Sequence, residues 1–225
     1  MNSLGIRSVL SVFVLTAITA AIVFAGAGTL DYWQAWLYFI IFIILSLLIT
    51  IYLIKNDPEL LERRMRGGPT AEGRPAQRII MIFMTLAFIG LLVVPGFDRR
   101  FGWSRVPDFV VIVGDILTII GFYFIFRVYR ENSFTSATIE IAANQRVIDT
   151  GPYSLVRHPM YSSALLYLAG TPLALGSYWG LLPIAVVIPC LIWRLFDEEN
   201  MLTRELAGYG EYMTRVKYRL LPGLW

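Results

Sequence analysis

The stretch WQAWLYFIIFIILSLLITIYLI, residues 33–54, carries no charged side chain and is long enough to cross a bilayer as a helix. With 57% hydrophobic residues, the composition is not that of a soluble domain. Lipid requires backbone polar groups to pair within each segment, and the apolar runs do not alternate as barrel strands would. The sequence therefore predicts an all-α polytopic membrane protein with about five to six transmembrane helices. The other predicted helices are at about 8–28, 78–96 and 107–129, followed by a C-terminal hairpin whose arms run over about 159–174 and from about 181 past 199.

Polar segments and turn residues separate these runs. Asp57-Pro58-Glu59 predicts a short amphipathic helix with proline in its first turn, and Pro95-Gly96 is expected to end the third span. Residues 131–157 form the longest polar interlude, where local alternation predicts short extended pieces rather than another span. We divide the chain into an N-terminal transmembrane region, 1–117, and a C-terminal region, 118–225.

The basic residues are distributed unevenly between the two sides of the membrane. With six spans both termini share one side, and sixteen of the nineteen Lys and Arg residues lie on that side or at its membrane edge. Only Arg99, Arg100 and Arg105 lie on the other. The positive-inside rule predicts that the termini and the long polar interlude face the cytosol. In so hydrophobic a chain, the net charge of +3 indicates orientation rather than nucleic-acid binding.

The polar interlude ends in GPYSLVRHPMY, residues 151–161, which contains the only histidine, His158. Pro159 as the first helical residue directs N–H groups toward the preceding loop, where the helix dipole favours an anion. Arg157 and His158 can add charge-assisted donors. The alternative is that Arg157 reaches lipid headgroups and His158 only caps a helix. One cysteine and one histidine form no cluster for zinc or haem, so we predict no metal.

A second charged cluster follows in the last apolar run. Arg194 and Glu198 stand four residues apart on one helix face, so a simple ion pair between them would also explain them. Glu198 could instead accept hydrogen bonds from a ribose or pair with a cationic ligand. Glu199 points elsewhere and needs its own partner. Because the hairpin brings this cluster and residues 157–161 to one membrane face, we predict a cytosolic pocket with convergent charges.

Several classes of protein are disfavoured. The sequence has no G-x-x-x-x-G-K-[ST] loop and no G-x-S-x-G elbow. It also has no G-x-G-x-x-G motif between a strand and a helix, so a Rossmann domain is not expected. The polar residues cluster at one face rather than in the middle of the membrane, which disfavours a transporter.

Five motifs together resemble the isoprenylcysteine carboxyl methyltransferase family and its wider group, which includes phospholipid N-methyltransferases. The motifs are residues 151–161, Trp193-Arg194, Glu198-Glu199, Tyr209-Gly-Glu-Tyr212 and RLLPGLW at 219–225. The C-terminal part is also similar to membrane sterol reductases. The resemblance covers about residues 118–225, whereas the first spans match only as hydrophobic helices. Ser162-Ser163 depart from the family pattern, which often has glycine there.

The resemblance implies S-adenosylmethionine bound without a Rossmann domain, at the cytosolic face, in a pocket of the C-terminal helices. It implies that Arg194 faces the methyl acceptor, and we group Arg157 and Glu199 with it as catalytic candidates, Glu199 as a base for an amine acceptor. The implied cofactor contacts are Gln145, Arg146, Val147, Ile148, Tyr153, His158, Pro159, Met160, Tyr161 and Glu198.

These residues lead us to expect a membrane methyltransferase acting on a lipophilic or small acceptor, with a carboxylate or thiol favoured. Its partners would be that acceptor and the lipid bilayer, with no nucleic acid. The alternatives are a phospholipid amine N-methyltransferase, a sterol-reductase-like enzyme using NADPH, and a membrane scaffold without enzymatic activity.

Overall fold

The computed structural model describes residues 3–68, 70–142 and 144–225. Within these ranges the chain is helical and contains no strand, which confirms the all-α prediction. Short 3-10 helices lie at Gly151–Ser154 and Trp179–Leu181. The α-helices are α1 Ser3–Ala27, α2 Trp33–Asn56, α3 Pro58–Met65, α4 Pro75–Phe101, α5 Asp108–Glu131, α6 Pro159–Ala174, α7 Ile184–Glu205 and α8 Tyr209–Arg215.

Five segments of the described chain are long and apolar enough to cross a membrane. They are α1, α2, α4, α5 and the segment Trp179–Glu205 that contains α7. The remaining helix of the bundle, α6, has only 16 residues. It nevertheless runs antiparallel to α5, because Gly121 packs on Tyr167 and Gly114 packs on Ala174. The chain is thus a multi-pass membrane protein in which α6 and α7 form the predicted hairpin.

The prediction that Pro95-Gly96 ends the third span is wrong, because α4 continues to Phe101. A proline inside a helix removes one backbone hydrogen bond, but neighbouring helices can compensate within a bundle. Here Gly96, the residue after the proline, packs directly against α1 at Gly26. The helix ends instead at Gly102, whose φ of 65° is the left-handed conformation common after a helix.

The short α3 confirms the predicted amphipathic helix. Asp57 caps it by accepting a hydrogen bond from Leu60 N at 2.9 Å, Pro58 is its first residue, and Leu60 and Leu61 are buried. The helix therefore lies flat against the bundle and presents Arg63 and Arg64 to the polar interlude.

The polar interlude forms no strand among its described residues. Its residues 133–140, here called the covering segment, are held instead by side chains of other elements. Arg63 donates to Ser133 O, and Arg64 donates to Ser136 O at 2.7 Å. Neither of the pieces predicted to be extended, residues 138–142 and 146–148, is part of a strand. The division at 117/118 falls inside α5 and stays a prediction.

Candidate active site

A cavity of about 440 Å³ lies where the covering segment meets α4, α5, α6 and α7. Its volume falls in the range of small-molecule sites, roughly 300–1,000 Å³. All ten residues predicted to contact a cofactor line it, and so do Arg157 and Arg194. Glu199 is not among the residues that line it. The fold therefore brings together residues that span positions 145 to 198, and their roles remain predictions.

The cavity has two chemically different walls. Gln145, His158 and Glu198 belong to the polar wall. The apolar wall comes from membrane-spanning helices, with Met84 and Leu191 among its members. The cavity thus extends from the polar end of the bundle into its hydrophobic interior, a shape suited to a polar molecule meeting an apolar one.

His158 is held rigidly in the polar wall. It is the N-cap residue of α6, and its backbone N donates to Arg219 O at 3.0 Å. Its ring stacks on Tyr161 with centroids 5.4 Å apart and an interplanar angle of 8°. Nε2 lies 3.3 Å from Glu199 Oε1, and Nδ1 lies 3.7 Å from Glu198 Oε2. The imidazole therefore sits between two carboxylates at the start of a helix.

The adjacent glutamates occupy different environments. Glu198 is half-buried, lines the cavity and accepts a hydrogen bond from the Tyr161 hydroxyl at 2.5 Å. Glu199 is buried and accepts from Arg157 Nε at 2.7 Å and from Arg219 Nε at 3.0 Å. Glu199 therefore joins α7 to the start of α6 and to the C-terminal segment.

Arg194 forms its ion pair with Glu72 rather than with Glu198. Its Nη1 donates to Glu72 Oε1 at 2.7 Å and to Gln77 Oε1 at 2.8 Å, and its Nη2 donates to Ala137 O at 3.0 Å. Glu72 and Gln77 are 1% and 0% exposed. Sequence reasoning missed both residues because they belong to no motif. The sequence did contain one indication of them. Arg194 lies one turn inside an apolar run, where an unpaired charge is costly, so a buried carboxylate elsewhere in the chain has to pair with it.

Three tyrosines complete the polar wall. The Tyr212 hydroxyl donates to Tyr153 O at 2.8 Å, and the Tyr153 hydroxyl accepts from Asn132 Nδ2 at 2.9 Å. Burial raises the pKa of Tyr153 to about 12, so its phenol stays protonated at neutral pH. The Tyr209 hydroxyl is buried, and it has no hydrogen-bond partner in the described parts of the chain. Because Tyr209 lines the cavity, a ligand there could supply the partner.

Comparison with known proteins agrees with the resemblance drawn from the sequence. Residues 109–209 match the phospholipid methyltransferase family. The chain is also similar to protein-S-isoprenylcysteine O-methyltransferase B of Arabidopsis thaliana, with 28% identity over 146 residues, or 61% of this chain and 70% of that protein. The family match runs from the start of α5 to Tyr209 and includes every residue predicted for the site. The C-terminal half of this chain is thus similar in sequence to the phospholipid methyltransferase family.

Proposed function

We propose that this protein transfers the methyl group of S-adenosylmethionine to a lipophilic or small acceptor at the cytosolic face of its membrane. The observation that carries the proposal is the cavity itself, whose lining combines the polar His158 and Glu198 with the apolar Met84 and Leu191. A polar methyl donor suits the first wall, and an acceptor arriving from the bilayer suits the second. The methyltransferase similarity of residues 109–209 supports the same assignment.

The residues of the polar wall fit S-adenosylmethionine. Its carboxylate suits the N-terminus of α6 beside His158, since helix N-termini favour anions. Glu198 is placed to accept hydrogen bonds from ribose hydroxyls or to pair with the amino group. The unpartnered Tyr209 hydroxyl offers one more hydrogen bond. When bound, this cofactor supplies a methyl group made electrophilic by its sulfonium.

The protein's own part in the reaction is positioning and the exclusion of water. A methyl transfer needs the nucleophile in line with the methyl group at about 3–3.5 Å. The apolar wall aligns a lipophilic acceptor, the covering segment closes the cavity, and Arg194 orients the polar end of the acceptor. A carboxylate or thiolate needs no strong base. An amine would need one, and the predicted base Glu199 is already engaged by Arg157 and Arg219. This geometry favours a carboxylate or thiol acceptor.

The test is a calorimetric titration of the purified protein with S-adenosylmethionine and, separately, with NADPH. We expect saturable binding of S-adenosylmethionine, followed by transfer of labelled methyl groups to a component of a lipid extract. Binding of NADPH in its place would contradict the proposal and support the reductase alternative. Binding of neither compound would leave the scaffold alternative.

A further inference from the structure

Two of the three residues that accept hydrogen bonds from the Arg194 guanidinium lie outside the methyltransferase-like region. Glu72 and Gln77 both accept from Nη1, whereas the family match begins only at residue 109. Arg194 lines the cavity, but Glu72 and Gln77 lie behind it and do not. The N-terminal part of the chain therefore builds the support for a residue in the C-terminal site.

Glu72 also connects Arg194 with the covering segment of the cavity. Its second carboxylate oxygen accepts from Ile139 N at 3.3 Å, and its own carbonyl accepts from Arg78 Nε at 2.7 Å. One buried carboxylate thus connects Arg194 with the covering segment. A buried charge is costly unless it is paired, so Arg194 depends on Glu72 both for its orientation and for compensation of its charge.

We propose that Glu72 is a positioning residue that orients Arg194 on the acceptor side of the cavity, and that the uncharged Gln77 assists it by accepting a second hydrogen bond from the same nitrogen. Glu72 offsets the charge of Arg194 and fixes the direction of its guanidinium. The acceptor therefore meets oriented N–H donors whose positive charge is already balanced, not a free cation. This inference rests on the proposed function, because Arg194 can orient an acceptor only if the cavity is a methyl-transfer site.

Chemical labelling tests the positioning directly and needs no acceptor. Phenylglyoxal modifies accessible guanidinium groups, and mass spectrometry of the digested protein reports each arginine separately. We expect Arg194 to be modified several-fold faster in Glu72→Ala than in the unmutated protein. Glu72→Gln should be intermediate, because its amide oxygen can still accept from Nη1. Arg157 is the internal reference and should not change.

Glu62→Ala is the matched control, since Glu62 is exposed and its ion pair is with Arg66. It removes a carboxylate from the same polar region without touching Arg194, and its labelling pattern should be that of the unmutated protein. An unchanged Arg194 rate in Glu72→Ala would overturn the proposal. An equal acceleration at Arg157 would overturn it too, because it would indicate general loosening of the fold.

Binding and turnover separate positioning from a merely structural role. We expect Glu72→Ala to keep its affinity for S-adenosylmethionine while methyl transfer to a lipid extract falls about tenfold to a hundredfold, as when a group that orients the acceptor is displaced. Glu72→Gln should recover part of that loss. A parallel fall in cofactor affinity would contradict the proposal. If the unmutated protein binds no S-adenosylmethionine, the proposed function fails, and the labelling result still decides whether Glu72 holds Arg194.

Discussion

Arg157 Nε and Glu199 Oε1 lie 2.7 Å apart, although 42 positions separate the two residues in the chain. Both side chains are buried, and Arg157 also donates from Nη1 to Val216 O at 3.0 Å. The pair connects the start of α6 with α7 and with the C-terminal segment. The pair therefore fixes the relative positions of the elements that carry the polar wall of the cavity.

Replacing each of the two adjacent glutamates should affect a different property, stability for Glu199 and cofactor binding for Glu198. Glu199→Ala leaves buried Arg157 without its carboxylate, a change that costs about 3–5 kcal/mol, and thermal unfolding in detergent should show a large loss of stability. Glu198→Ala removes only the acceptor of the Tyr161 hydroxyl, so it should lower the unfolding temperature slightly and lose affinity for S-adenosylmethionine in calorimetry. Equal stability losses in the two variants would contradict the assignment of Glu199 as an anchor.

Tyr209→Phe removes a buried hydroxyl that has no partner within the described chain. Burial raises the pKa of this phenol well above its usual range, so it is a hydrogen-bond donor at all physiological pH values. We expect unchanged stability and a threefold to tenfold weaker affinity for S-adenosylmethionine, about the effect of one hydrogen bond. The measurement is calorimetry alongside thermal unfolding.

Tyr212→Phe is the comparison for that experiment. Its hydroxyl already donates to Tyr153 O, so its loss should lower stability by about 1 kcal/mol. A Tyr209→Phe protein that binds the cofactor normally would show that its hydroxyl is not a contact of the cofactor.

Asp115 is buried in α5, and neither of its carboxyl oxygens has a hydrogen-bond partner among the described residues. An unpartnered buried polar group costs about 1–3 kcal/mol, and more when it is charged. Asp115→Asn keeps the shape and removes the charge, so we expect a higher unfolding temperature. Asp108→Asn, at the exposed start of α5, should give no such increase, because a carboxylate is favourable there. A less stable Asp115→Asn protein would reveal a partner that the carboxylate requires.

The close approach of α5 and α6 depends on glycine. A Cβ at Gly114 would lie 2.2 Å from Ala174 N, and a Cβ at Gly121 would lie 2.8 Å from Tyr167 N. Gly114→Ala should therefore push α6 away and lower stability by about 1–3 kcal/mol or more, and weaken cofactor binding because α6 carries Pro159 to Tyr161. Gly210→Ala has open space around it and should be neutral. Normal cofactor affinity in Gly114→Ala would contradict this coupling.

The orientation can be tested with introduced cysteines in a Cys190→Ala background. Leu30 and Glu205 are exposed at opposite ends of the bundle. The positive-inside rule predicts that a membrane-impermeant maleimide added to intact cells labels Leu30→Cys and not Glu205→Cys. The reverse pattern would place the cavity on the outer side.

The helices could be predicted from the sequence because lipid allows few alternatives. Continuous apolar runs such as residues 33–54 must be helical to satisfy their backbone, and α2 was predicted to within a few residues. The error at Pro95 arose because the local rule for proline takes no account of a neighbouring helix. Here α1 packs against Gly96, the residue after the proline.

The sequence by itself determined the membrane class and the helical hairpin, because these follow from hydropathy, and the resemblance carried by its motifs indicated twelve of the residues that line the cavity. Only the tertiary structure decided how the charges pair. It directed Glu199 to Arg157 and Arg219, left Glu198 in the cavity, and brought Glu72 to Arg194. Ion pairs between distant residues depend on which helices pack together and how each is rotated. Spacing along the chain does not record that rotation, and the burial that makes each pair obligatory exists only after packing.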